Sequence, residues 1–185
     1  AGDASIMSGW RVIGIGSPFG DDRAGWVVME QLAQCSLPED VELITLDRPG
    51  PDLINRLERD VKTVLIDAVQ TTAFPAGHWM PLEINQLNGA EGLSSHGFGL
   101  APTLKLAQAL GGLPHQLRLF GICIAPGSSQ PEGSTLSSSV MAGAGQLATW
   151  LADQLACASG PFYTATGSGG VGSIGSSSRS DCSRK

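Results

Sequence analysis

The run Thr63–Val69, TVLIDAV, is apolar on both faces and is broken by a single acid. A strand with one wet face alternates apolar and polar residues. A near-continuous apolar run of this length instead marks a strand covered on both sides, as in a parallel sheet. Arg11–Gly16 (RVIGIG) has the same character. Between and after these runs the periodicity switches to that of helices. The pattern predicts strands over Arg11–Gly16, Val41–Leu46, Thr63–Val69, His78–Ile84 and Gln116–Ile124. It predicts helices over Arg23–Ala33, Pro51–Arg59, Ala101–Leu110 and Ser139–Ala156. Pro81 places the fourth strand at an edge, because proline cannot donate to a central ladder. Val140, Ala144, Leu147, Leu151 and Leu155 give the last helix a core-facing stripe, with its N-cap among Ser137, Ser138 and Ser139. The order β-α-β-α-β-β-α-β-α predicts an α/β sandwich on a mostly parallel, five-stranded sheet.

Residues 10–158 are expected to form one domain, since 185 residues with 42% hydrophobic content suit a single core. Residues 1–9 read as a flexible N-terminal segment, with Met7 a candidate start. Residues 159–185 read as a Gly/Ser-rich flexible tail, too poor in apolar surface to offset ordering. A net charge of −6 repels phosphate backbones and argues against nucleic acid as a partner. No apolar run is long enough to cross a bilayer and no export leader is visible, so a cytoplasmic location is expected. Cys35, Cys123, Cys157 and Cys182 are scattered and form no CxxC pair; Cys123 reads as a small core residue.

The first strand turns into the first helix through GIGSPFGDDRAG. Gly14, Gly16 and Gly20 miss the spacing of a dinucleotide loop by one residue, and no Gly-Lys-Ser/Thr follows. Asp21 and Asp22 would also face the phosphates, at a Coulomb cost of about 1–4 kcal/mol per unit pair near 4 Å. Carboxylates at that place suit a cation. If the first three strands lie in the order 2-1-3, the ends of strands one and three border the crevice where α/β sheets bind ligands. Asp22 and Asp67 would face each other there. The long loop 85–99, which carries His96, must return across the same edge. Two oxygens and an imidazole make a site for a divalent transition ion. Each has a plain alternative: Asp22 as a helix-terminus charge, Asp67 as an ion-paired core acid, His96 as a solvated loop residue. His78 and His115 read as surface residues.

These residues carry a family likeness. GIGSPFGDDRAGWVV resembles the G-x-G-N-P-x-x-x-D-[DE]-x-x-G opening of the hydrogenase maturation proteases. VLIDAV is similar to their third-strand acid motif, GLSSHGFGL to their S-x-H-x-x-x-L segment, and GSTLSSSV to the G-x-x-L-S-x-x-V that opens their last helix. The likeness spans residues 11 to 155. It implies a three-layer α/β/α sandwich around a twisted, mostly parallel five-stranded sheet. It implies an endopeptidase that removes the C-terminal extension of a nickel–iron hydrogenase large-subunit precursor after nickel insertion, with Asp22, Asp67 and His96 reading the substrate's nickel. Ser17 stands where the family has Asn, and the loop is one residue shorter, which leaves Asp21 able to exchange roles with Asp22. Either metal or a carboxylate base, Asp21 being the candidate, would activate the water. No Ser-His-Asp order, reactive-Cys signature or HExxH is present. The alternatives are a metal-sensing chaperone of the precursor that does not cut, and a flavodoxin-like nucleotide-binding domain.

Overall fold

The computed structural model describes residues 9–87, 94–95, 100–127 and 130–157. The expected N-terminal segment, all but its last residue, and the Gly/Ser-rich tail lie outside these residues, as do His96 and Cys182. Six strands and four α-helices follow one another, and all but the two-residue fifth strand come in the order the periodicity predicts. They are β1 (Trp10–Gly16), α1 (Ala24–Leu32), β2 (Glu42–Asp47), α2 (Pro51–Arg56), β3 (Lys62–Gln70), β4 (Trp79–Leu82), β5 (Ser94–Ser95), α3 (Leu100–Ala109), β6 (Leu117–Ile124) and α4 (Ser138–Ala156). Short 3-10 turns at Gly20–Arg23 and Ile84–Leu87 complete the set.

The main sheet runs β2-β1-β3-β6-β4. β1, β2, β3 and β6 pair in parallel, and β4 is antiparallel on β6. Pro81 therefore sits on an edge strand, where a missing amide costs no ladder bond. The two-residue β5 was not foreseen; the loop expected across 85–99 pairs briefly with the end of β3, Val69 with Ser95 and Gln70 with Ser94.

Strand side chains alternate between faces, so one sheet feeds two cores. Val12, Val64, Ile66, Ile122 and Ile124 pack with Val28, Leu32, Leu147 and Leu151 of α1 and α4. Ile13, Ile15, Leu65, Val69 and Leu119 pack with Leu53, Leu100 and Leu104 of the α2 and α3 layer. This is the three-layer α/β/α arrangement. Cys123 is fully buried, and burial pushes its thiol up to about 11, as suits an inert core residue. No helix among the described residues is long and apolar enough to cross a membrane.

α2 stops at Arg56, three residues short of its expected end. Leu57 turns to an extended conformation and enters the core. The Arg56 carbonyl accepts a hydrogen bond at 2.7 Å from Nη1 of Arg11, which also pairs with Glu42 and Glu58. A cation from β1 thus closes the helix end.

α1 lies unusually close to β1. A Cβ added at Gly25 would come 2.1 Å from the Ile15 carbonyl oxygen, and one at Gly14 would come 2.5 Å from the Gly25 oxygen. Backbone cannot yield as a side-chain tip can. Gly25→Ala is expected to lower stability by about 2 kcal/mol or more. Gly112→Ala, where a Cβ meets nothing closer than 3.7 Å, should change it by under about 0.5 kcal/mol. Urea midpoints at constant slope would check both.

Candidate functional site

The site forms where β1 leaves β3. β1 pairs along one edge of β3 as far as Gly14 with Ile66, while β6 covers the other edge through Gln70. From Val69 onward β5 takes the edge that β1 has vacated. Asp67 lies between these two pairings. This is the crevice expected from a 2-1-3 order, at the carboxyl ends of the strands.

Asp67 follows Leu65 and precedes Val69 in the alternation, so it shares the face turned to the α2 and α3 layer. Its side chain is 2% exposed. Oδ1 accepts a hydrogen bond from the Ala68 amide at 2.8 Å. Oδ2 is buried and accepts none among the described residues. Burial pushes this carboxyl well above the ordinary carboxylate range, and the charge of Asp22 pushes it further; the Ala68 amide opposes both. An unsatisfied buried acceptor costs about 1–3 kcal/mol. A second carboxylate beside it deepens the need for positive charge.

Asp22 arrives from the other strand. After Gly16 the chain turns through Gly20, whose φ of 52° is the left-handed conformation that glycine adopts freely. A side chain there would also collide with Gln130. The 3-10 turn that follows holds Asp22 buried at 6% exposure. The Asp22 amide donates to the Phe19 carbonyl at 3.1 Å and its carbonyl accepts from the Ser17 amide at 3.3 Å. Ser17 Oγ donates to Asp22 Oδ2. Ser17, the departure from the family's Asn, therefore steers one ligand candidate directly. The change from Asn to Ser at position 17 was visible in the sequence; its contact with Asp22 was not.

Asp21, considered a candidate base, points elsewhere. Its Oδ1 accepts from the Ser137 amide at 2.6 Å and its Oδ2 from the Ser137 hydroxyl at 3.0 Å. Each oxygen thus takes one donor from Ser137, and the residue is only 5% exposed. The carboxylate considered as a base is therefore turned to the head of α4, while the charge of Asp22 is felt at Asp67.

His96 lies outside the described residues. Ser95, its neighbour in sequence, pairs with Val69, two residues past Asp67. Among the described residues, no three His, Cys, Asp or Glu side chains gather as metal ligands. Asp22 and Asp67 supply two oxygen donors, and a divalent cation would answer the unpartnered oxygen of Asp67. His78 stacks on the exposed Phe74 with ring centroids 4.9 Å apart, and His115 is exposed near Asp60. Both are surface residues, as expected.

No protein-family model matches the chain, and no curated protein matches it. Solved structures do. A hydrogenase 2 maturation peptidase from a Thaumarchaeota archaeon is 29% identical, with TM-score 0.56 over 80% of this chain and 97% of that one. The hydrogenase maturating endopeptidase HybD from E. coli is 25% identical, with TM-score 0.60 over 75% and 88%. The [NiFe] hydrogenase maturation protease HybD from Thermococcus kodakarensis is 24% identical and shares the fold, with TM-score 0.62 over 80% and 99%. In fold, and at 25–29% identity to two of them, this chain is similar to solved hydrogenase maturation peptidases.

Proposed function

We propose that the protein is an endopeptidase that removes the C-terminal extension of a nickel–iron hydrogenase large-subunit precursor once nickel is in place, acting in the cytoplasm. Solved relatives named as maturation endopeptidases support the general role. The observation that carries the reading on the molecule itself is the buried, unpartnered Oδ2 of Asp67 beside a second buried carboxylate. A protein maintains such an arrangement against its cost when a cation arrives to complete it.

The cation belongs to the substrate. In this reading Asp22 and Asp67 take vacant positions on the precursor's nickel, and His96 is the third ligand. Nickel accepts mixed oxygen and nitrogen donors. Three chain segments then converge on one ion: the turn after β1, the end of β3 and the segment after β5. Support for His96 comes from its motif and from the pairing of Ser95 with Val69. Binding the ion fixes the adjoining peptide bond against the rim of the sheet, and such fixation supplies a large part of a hydrolytic rate enhancement. Peptide cleavage is thereby restricted to precursors that already carry nickel.

Incubation with nickel-loaded precursor should release a C-terminal peptide detectable by mass. Nickel-free precursor should stay intact. Binding without any mass loss would show the chain to be a chaperone and end the protease reading.

Substitutions at the carboxylates separate function from structure. Asp67→Asn should slow processing by about 100-fold or more, in line with the loss of a metal-site contact. The same change keeps the side chain's shape and removes a carboxyl whose charged form burial and Asp22 disfavour, so the variant should melt no lower than wild type. A variant that unfolds more readily yet still processes would make Asp67 a structural acid. His96→Ala should likewise abolish processing, as followed by the same mass assay.

A further inference from the structure

The two consecutive acids after β1 meet opposite surroundings. Asp22 sits with Ser17 at the β1–β3 crevice. Asp21 turns to the start of α4, 116 residues away in sequence. Ser137 is the N-cap of α4, yet its hydroxyl makes no bond to its own helix. It donates to Asp21, as does its backbone amide. The carboxylate thus stands at the positive end of a 19-residue helix and takes two donors at once.

This contact is one of four that strap the same two loops together. Phe19 bridges to Glu132 in antiparallel fashion, and the Gly133 amide donates to the Pro18 carbonyl at 2.8 Å. Gly20 packs on the Gln130 side chain. The backbone contacts are at the outer part of the loop; Asp21–Ser137 is the buried one, adjacent to Asp22. A 3-10 turn of four residues has little rigidity of its own. Its direction depends on what holds it.

We infer that Asp21 is a positioning residue: bonded to Ser137 at the head of α4, it holds the turn that aims Asp22 into the crevice and takes no part in proton transfer. For its consequence in catalysis the inference rests on the two-carboxylate reading above; the strut itself does not. The chemistry asks for two acceptors at position 21 and makes no demand on their charge. An asparagine meets nearly the same demand, because its oxygen accepts from the Ser137 amide and its NH₂ donates to the Ser137 hydroxyl oxygen, which can rotate. A general base admits no such replacement.

The test compares Asp21→Asn with Asp21→Ala in the full chain. Amide hydrogen exchange at Asp22 and Gly133 reads the loop directly, and the mass assay on nickel-loaded precursor reads its effect. Asp21→Ala should exchange about tenfold faster or more at Asp22, as expected when hydrogen bonds to a charged acceptor are lost, and should process at least about tenfold more slowly. Asp21→Asn should restore both to within about threefold of wild type, the margin of one weak hydrogen bond. Processing that collapses in Asp21→Asn while exchange stays protected would overturn the inference, since the charge itself would then act. Wild-type exchange at Asp22 in Asp21→Ala would overturn it too. If the alanine variant fails to fold, the asparagine variant alone decides, with Ser137→Ala as the second cut of the same bond. Asp67→Asn, run alongside, reports on the two-carboxylate reading separately: if it processes normally that reading falls, while the exchange data still decide the strut.

Discussion

Asp67 lies within a strand whose two faces are both covered, and one oxygen of its carboxylate finds no hydrogen-bond donor among the described residues. Everything of functional interest is arranged around that carboxylate. It is 2% exposed and shares the sheet face turned to the α2 and α3 layer. Burial and Asp22 both disfavour its charge. The two apolar layers, packed on α1 with α4 and on α2 with α3, supply the cohesion that lets the fold tolerate it. The site is therefore a place where stability is given up locally and recovered from the core around it.

The strand order converts that local tension into a site. Parallel neighbours leave the sheet at the same end, so the turn after β1 and the end of β3 meet by necessity. β5 adds a third segment at the same point. Asp67 is thus carried on a strand and Asp22 on a short turn just after one, which keeps their geometry tighter than a long free loop would allow. The loop after β1 is further tied to the segment before α4 through Asp21, Pro18 and Phe19. Such ties reduce the ordering cost when a ligand binds.

Adjacent residues of one type can serve unlike ends. Asp21 and Asp22 differ in one step along a 3-10 turn, and that step sends one carboxylate to a helix terminus and the other to the crevice. Ser17 and Ser137 divide in the same way, each supplying a hydroxyl to one of the two acids.

The strands other than β5, the helices, the parallel character of the sheet and the edge position of β4 were legible in the sequence, because each depends on residues within a few positions of one another: apolar runs, helical spacing and a proline at 81. Asp67 was legible as costly for the same reason, being an acid inside an apolar run. What tertiary structure alone decided were contacts across long separations. The partner of Asp21 lies 116 residues on, and the early end of α2 is set by Arg11, 45 residues back. No local pattern encodes such meetings. They exist only once the sheet order has fixed which loops share an edge, and it is that order which turns Asp22 and Asp67 from two separate acids into one site.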